Sequence, residues 1–321
     1  MKAIVMTATG GPEVLVAREV SAPRPGAGEV IVRAEAVPVL FPETKLRSGE
    51  FPSPVAPPAV FGFQAVGTVT EVGAGADPGL LGRRVGVDAQ GGSYAEYVCA
   101  PAASATPLPE GLSAVDAAAV LMSGSVALAL WEAAACAGSE TVLIEAAATG
   151  VGAALTQLAE AHGAARVLAT AGGPAKIAHA RKLGADEVVD HTDPDWAARL
   201  REILGAATVD IVFDSIGGPS AAPLLDLMTP LRGRMLSYGY LSGAPAQLTA
   251  ADLIFRGLTL VGCAGPHWLA RVAQLRAAAL THAAAGTLAP RVEEILPLEQ
   301  AAEAHRRLES RTPLGAFVLR P

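Results

Sequence analysis

Val142-Leu143-Ile144-Glu145-Ala146-Ala147-Ala148-Thr149-Gly150-Val151-Gly152, running into Ala153-Ala154-Leu155-Thr156-Gln157-Leu158-Ala159, decides the fold. It reads as an apolar strand, a turn of small residues and a helix. A dinucleotide pyrophosphate needs this arrangement. Small side chains let backbone N–H groups approach the phosphates, and the helix N-terminus adds partial positive charge. The full G-x-G-x-x-G pattern is absent, so the turn alone is also compatible with a strand–helix junction that holds no ligand.

The next strand argues for a ligand. Residues 166–171 end in Thr170-Ala171 with no Asp or Glu. An NAD site usually carries a carboxylate there for the ribose 2′-hydroxyl. Here Gly172-Gly173-Pro174-Ala175-Lys176 follows. A neutral, Gly-rich turn with a lysine after it suits a 2′-phosphate. Lys176 also fits an ordinary solvated helix lysine.

Outward from this stretch, helical and strand patterns alternate from about Ser113 onward, which predicts βαβ units and a parallel sheet. Ser113 reads as an N-cap and Gly184 as a helix C-cap. Strands are expected at 141–146, 166–171, 187–190, 209–214 and 233–238. Helices are expected at 152–162, 174–183, 196–204 and 271–284. Residues 1 to about 110 read instead as β-rich, with short apolar runs at 30–34, 65–72, 82–87 and 95–98 between Gly and Pro clusters. The tail from about 286 returns to mixed strand and helix.

Composition bounds the function. The chain has 321 residues, 51% hydrophobic and 17% charged, which points to two domains rather than one. A net charge of -7 with no basic block excludes affinity for nucleic acid phosphates or anionic membranes. Cys99, Cys136 and Cys263 are too scattered for a disulfide framework, which favours a reducing cytoplasm. The N-terminus lacks the apolar h-region of a signal peptide. The Ala-rich stretch 115–137 carries Asp116 and Glu132 and reads as a helix of a soluble protein.

A series of tags then runs nearly end to end: Met1-Lys2-Ala3-Ile4, Gly10-Gly11-Pro12-Glu13-Val14-Leu15, Arg47-Ser48-Gly49, Gly67-Thr68-Val69, Gly82-Arg83-Arg84-Val85, Gly92-Ser93-Tyr94-Ala95-Glu96-Tyr97-Val98, Gly150-Val151-Gly152, Leu183-Gly184-Ala185-Asp186, Phe213-Asp214-Ser215-Ile216-Gly217-Gly218 and Gly233-Arg234. In order and spacing they resemble the zinc-independent medium-chain dehydrogenase/reductases of the zeta-crystallin-like quinone oxidoreductase family. The resemblance implies an α/β protein: a Rossmann doubly wound parallel sheet plus a GroES-like β-rich substrate domain. The substrate domain is expected at 1–121 and 265–321, the Rossmann domain at 122–264, with the active site in the cleft.

The same resemblance implies NADPH as cofactor and assigns residues to it. Ser125 stands where the family places a hydroxyl near the nicotinamide. Thr149, Gly150, Val151 and Gly152 match the pyrophosphate turn, with Thr149 replacing a usual glycine. Thr170, Ser215 and Tyr238 fall at further cofactor positions. Lys176 matches a lysine on the 2′-phosphate, His191 replaces a tyrosine near it, and Arg311 matches a C-terminal arginine that binds it. Three groups converging on one phosphate make a stronger site than any one alone.

Departures from the family matter equally. A zinc-dependent relative would carry Gly-His-Glu near 62–64, where this chain has Gly62-Phe63-Gln64, and a lobe of clustered cysteines. No metal is therefore expected. Leu40 replaces the family's usual Asn, and Phe51 stands where enoyl-thioester reductases carry Tyr. Both are either pocket lining or core. Lys45, Tyr240 and His267 are candidates for stabilising charge on the acceptor.

The reading is hydride transfer to a quinone or an α,β-unsaturated carbonyl. An enoyl reductase of a biosynthetic pathway is the runner-up. An NADPH-binding protein with little turnover is the alternative from another class. The apolar run 258–262 predicts an edge strand and a homodimer.

Overall fold

Runs of Val, Ile and Ala bounded by Gly and Pro make the first third of the chain a set of short strands. The computed structural model describes residues 1–321. In order come β1 (Lys2–Met6), β2 (Leu15–Glu19), β3 (Glu29–Val39), α1 (Phe41–Ser48), β4 (Ala59–Val60), β5 (Gln64–Val72), β6 (Arg84–Asp88), β7 (Tyr97–Pro101) and β8 (Thr106–Pro107). The helix α2 (Ala114–Ala134) follows. Ser113 caps it as expected, accepting from the Asp116 nitrogen at 3.0 Å.

The alternating region gives β9 (Thr141–Ile144), α3 (Gly150–Ala161), β10 (Arg166–Ala171), α4 (Pro174–Lys182), β11 (Glu187–Asp190), α5 (Trp196–Leu204), β12 (Ile211–Asp214), α6 (Ala221–Leu225), β13 (Arg234–Ser237), α7 (Ala250–Arg256), β14 (Thr259–Gly262) and α8 (Pro266–Gln274). The tail adds α9 (Arg276–Ala284), β15 (Val292–Pro297), α10 (Ala301–Glu309) and β16 (Ala316–Arg320).

Two units result: Met1–Met122 with Arg276–Pro321, and Ser123–Leu275. The first is built on β3, which pairs with β5 along one edge and is long enough to serve two neighbours along the other. Its start pairs with β7 (Val30 opposite Ala100) and its end with β16 (Phe317 opposite Val39). That second pairing is why the C-terminal tail belongs with the N-terminal third. Val30, Val32, Val37, Phe61, Val87 and Phe317 are buried in its core.

The second unit is a parallel sheet in the order β11-β10-β9-β12-β13-β14. The strand order reverses at β9, the switch point where open α/β sheets place ligands beyond the strand C-termini. β14 lies at one edge, and Thr259, Leu260 and Gly262 are exposed.

Two expectations change. The return to the first unit falls at Arg276 and not at 265, because α8 stays with the parallel sheet, its Arg271 forked onto Glu132 of α2 at 2.7–3.0 Å. The single helix expected at 271–284 is two, α8 and α9, parted at Leu275. By length and composition α2 is apolar enough to cross a membrane, but Ala117, Ala118, Leu121, Ala127 and Leu130 are packed inside the protein, as in a core helix.

Candidate active site

The turn between β9 and α3 is shaped for an anion. Thr149 is extended at the start of α3, and its hydroxyl caps nothing. Gly150 has φ +52, a left-handed backbone that disfavours a side chain, and the space above it is open. Gly152 is needed for closeness instead: a Cβ there would lie 2.4 Å from the Ala146 carbonyl. No acidic side chain sits in the first turn of α3. An uncapped N-terminus, open space and no negative charge fit a pyrophosphate.

Thr170 braces this turn from the next strand. Its hydroxyl accepts from the Ala146 nitrogen at 3.3 Å, and its carbonyl accepts from the Ala147 nitrogen at 2.9 Å. The Thr170 hydroxyl also lies 3.1 Å from His191 Nδ1. Burial pushes the His191 imidazole below its ordinary range, Asp190 opposes that, and the nearby Lys176 charge adds to it. Lys176 and His191 therefore share one neighbourhood beside Gly172 and Gly173.

That neighbourhood holds a carboxylate that the sequence reading missed. Asp190 ends β11 and accepts from the Gly173 nitrogen at 3.2 Å, and from the Thr192 nitrogen and hydroxyl at 2.9 and 2.7 Å. The Thr192 hydroxyl first, then backbone N–H groups, hold its carboxyl below the usual range. Asp190 closes β11, one strand beyond the β10 terminus where such a carboxylate is usually sought. The local signal was Asp190-His191-Thr192, an Asp with a Thr two residues on, which favours a side-chain-braced turn.

At the switch point, Ser125 is buried in α2 and Ser215 is buried after β12, its hydroxyl 3.3 Å from the Glu145 carbonyl. Burial pushes the Tyr238 phenol well up, while a hydrogen bond with Ser215 opposes this. Beneath them lie two buried carboxyls, Glu145 and Asp214, which the sequence reading did not single out. Tyr240 and His267 are exposed, so neither is assembled into this buried cluster.

In the first unit, α1 was not anticipated. Pro42 opens it, and Glu43 Oε2 accepts from the Leu40 nitrogen at 2.8 Å, half of a capping box. Leu40 is half-buried at the helix start and Phe51 is half-buried beyond its end. Lys45 is tied to Glu50 at 2.8 Å and lies 5.6 Å from the Phe41 ring centre. Arg311 has φ +59 and stacks its guanidinium 4.1 Å from the same ring centre. Burial pushes Arg311 down and the Glu50 charge opposes it. Lys176 and His191 thus group in one unit and Arg311 in the other.

Behind α1 runs a fully buried polar chain. The Tyr94 hydroxyl donates to Glu43 Oε2 at 2.7 Å and lies 2.9 Å from His305 Nε2. With Tyr94 donating to Glu43, His305 must donate from Nε2. Burial pushes the Glu43 carboxyl up to about 7, against its hydrogen bonds from Leu40, Tyr94 and Phe63. Burial first, then the Arg47 charge, pushes His305 down to about 3, so the imidazole is neutral. Arg47, buried beside them, pairs with Glu309 at 2.5 Å. Where zinc-dependent relatives would carry ligands, Gln64 donates to Asp88 at 2.8 Å. No three His, Cys, Asp or Glu side chains form a group able to hold a metal ion.

Comparison with known proteins agrees with this fold. Residues 26–110 match the alcohol dehydrogenase GroES-like domain, and residues 150–281 match the family described as zinc-binding dehydrogenase. The chain is 33% identical to a 2-haloacrylate reductase from Burkholderia sp, over 99% of this chain and 98% of that one. It is 34% identical to quinone oxidoreductase 1 of Escherichia coli strain K12, over 97% of each. The crystal structure of Escherichia coli quinone oxidoreductase complexed with NADPH superposes with a TM-score of 0.91 at 32% identity, covering 100% of both chains. The chain is an NADPH-dependent oxidoreductase, and it belongs to the zinc-independent quinone oxidoreductase family of the medium-chain dehydrogenase/reductases.

Proposed function

We propose that this enzyme reduces a quinone or the β-carbon of an α,β-unsaturated carbonyl. Bound NADPH supplies the hydride. Residues 149–152 and the N-terminus of α3 hold its pyrophosphate, and Lys176 and His191 meet the 2′-phosphate, with Arg311 as a third candidate. Thr170 braces the turn. Ser125, Ser215 and Tyr238 flank the nicotinamide end.

The observation that carries the acceptor assignment is the apolar character of Leu40 and Phe51, both half-buried at the two ends of α1. Neither offers a proton or a charge. Lys45 and Arg47, the cations on that helix, are already tied to Glu50 and Glu309. Such a surface suits an acceptor whose own conjugation spreads the charge that arrives with hydride, as a quinone or enone does. Orientation then does most of the work, and placing reactants correctly can lower a barrier by ~7–11 kcal/mol. Backbone N–H groups or water meet the developing oxyanion.

The name of the Burkholderia relative, a reductase of a 2-haloacrylate, favours an activated alkene as the acceptor, and an enoyl thioester is the second reading. NADPH oxidation measured across quinones, free enones and enoyl thioesters separates these. Tight NADPH binding with no turnover on any of them would reverse the assignment in favour of a binding protein. Elemental analysis is expected to find no stoichiometric zinc. The three free cysteines fit a cytoplasmic location.

A further inference from the structure

Glu145 and Asp214 sit side by side at the C-terminal ends of neighbouring strands. β9 and β12 pair in parallel with Ile144 opposite Phe213, and the Glu145 nitrogen continues the ladder to the Phe213 carbonyl at 3.2 Å. The next residues on each strand are therefore Glu145 and Asp214, on the same face of the sheet. They are 1% and 0% exposed. No ion pair neutralises either one. The ionisable groups that face Glu145 are Asp214 from β12 and Tyr238 from the segment after β13.

Two adjacent buried carboxylates without a cation cannot both be charged. The donors around them indicate which one keeps a proton. Asp214 Oδ1 accepts from the Gly217 nitrogen at 2.8 Å, and Oδ2 accepts from the Ser237 hydroxyl at 2.8 Å. Glu145 is held more loosely, accepting from the Ile216 nitrogen at 3.3 Å and from the Ser215 backbone, with no side-chain hydroxyl donating to it. Glu145 is the natural holder, donating to Asp214. Burial first, then Asp214, pushes its carboxyl well above the usual range. Together the pair binds the 216–217 backbone and the end of β13, from which the Tyr238 nitrogen reaches back to the Asp214 carbonyl at 3.0 Å.

We propose that Glu145 is a positioning residue for NADPH: a proton shared with Asp214 ties the ends of β9 and β12 together and holds the segment carrying Ser215 and Tyr238 in place. This rests on the reading that Ser215 and Tyr238 face the nicotinamide end. The shared proton also leaves the pair with one negative charge rather than two, beside the turn that receives an anionic pyrophosphate.

The test compares wild type with Glu145→Gln, which keeps a donor to Asp214 and an acceptor for Ile216 but cannot ionise. The apo protein's melting temperature and the NADPH dissociation constant, by fluorescence, are followed from about pH 5 to pH 10, upward from the ordinary carboxyl value. The folded protein holds a proton that the unfolded chain releases near the ordinary value of 4.5. Stability from this group is therefore complete below that value and is lost as pH rises. Wild type should lose melting temperature relative to Glu145→Gln as pH rises, and its NADPH affinity should fall by about tenfold or more relative to the variant. At pH 7 the variant should bind NADPH within about threefold of wild type, whereas Glu145→Ala should bind about tenfold worse.

Asp214→Asn should flatten the same pH slope and serves as the second variant. Parallel pH profiles for wild type and both variants would overturn the shared proton. A melting difference with a constant ratio of dissociation constants would overturn the positioning role. Ser215→Ala and Tyr238→Phe distinguish the underlying reading: if neither changes NADPH affinity, the nicotinamide assignment fails and the proposal falls with it.

Discussion

The Asp190 carboxylate lies 3.2 Å from the backbone nitrogen of Gly173, at the start of α4, in the neighbourhood of Lys176 and His191. A negative charge thus stands in the group proposed to meet a 2′-phosphate. Asp190→Asn keeps an acceptor for the Gly173 nitrogen and removes the charge. It should tighten NADPH binding by about 3- to 10-fold with little effect on NADH, since only NADPH carries the phosphate that Asp190 repels. Titration of both cofactors checks this, and equal changes for both would show that Asp190 only braces the turn.

Lys176→Ala should weaken NADPH binding by roughly 10- to 100-fold and leave NADH nearly unchanged, because a charge-assisted hydrogen bond is worth about 1.5–3 kcal/mol. Arg311→Ala is expected to show the same selectivity. Its stacking on Phe41 gives it a second role, so some loss of melting temperature should accompany it. Equal losses for NADPH and NADH would assign Arg311 to packing alone.

Gly150→Ala and Gly152→Ala should fail differently. At Gly150 there is space but φ is +52, so alanine strains the backbone by about 1 kcal/mol and crowds the phosphate. At Gly152 the added Cβ meets the Ala146 carbonyl at 2.4 Å, so α3 must move off the turn. The expected outcome is weakened NADPH binding with near-normal melting for the first, and losses of both for the second. Calorimetry with and without cofactor distinguishes them.

The Glu43–Tyr94–His305 chain predicts a pH dependence in the first unit. The Glu43 carboxyl rises from 4.5 to about 7 on folding, so the folded protein holds a proton that the unfolded chain has lost. That stabilisation is complete below pH 4.5 and declines as pH rises to about 7, a change of about 3 kcal/mol at most. Denaturant unfolding at pH 5 and pH 7.5 should show this slope in wild type and not in Glu43→Gln. Tyr94→Phe removes the donor to Glu43 and leaves the His305 Nε2–H unpaired, and should cost about 2–3 kcal/mol. A neutral result would mean that water replaces the hydroxyl.

A homodimer through β14 is expected. The strand is an exposed edge, and Ile254 and Phe255 of the preceding helix are 74% and 86% exposed. Unpaired edges and adjacent apolar side chains are normally covered. Light scattering at micromolar concentration should give twice the chain mass, and Leu260→Lys with Phe255→Glu should give a monomer. A wild-type monomer would dismiss the interface.

What the sequence determined by itself was local in origin. The β9–turn–α3 unit was legible because an apolar strand, small turn residues and an amphipathic helix follow one another without a break. The doubly wound sheet was legible because the same alternation repeats, and the edge at β14 because its apolar run ends the series. The family assignment held because tags spread along the whole chain keep their order. Tertiary structure decided what depends on register and burial. Asp190 meets Gly173 only because β11 pairs beside β10. Glu145 meets Asp214 only because β9 pairs with β12. Tyr94 meets Glu43 only through the packing of the first unit, and meets His305 only because the C-terminal tail returns to β3. Each of these residues reads in sequence as an ordinary charged or polar side chain. Removal from water beside one particular partner changes its protonation and what it can hold, and no stretch of local sequence encodes that partner.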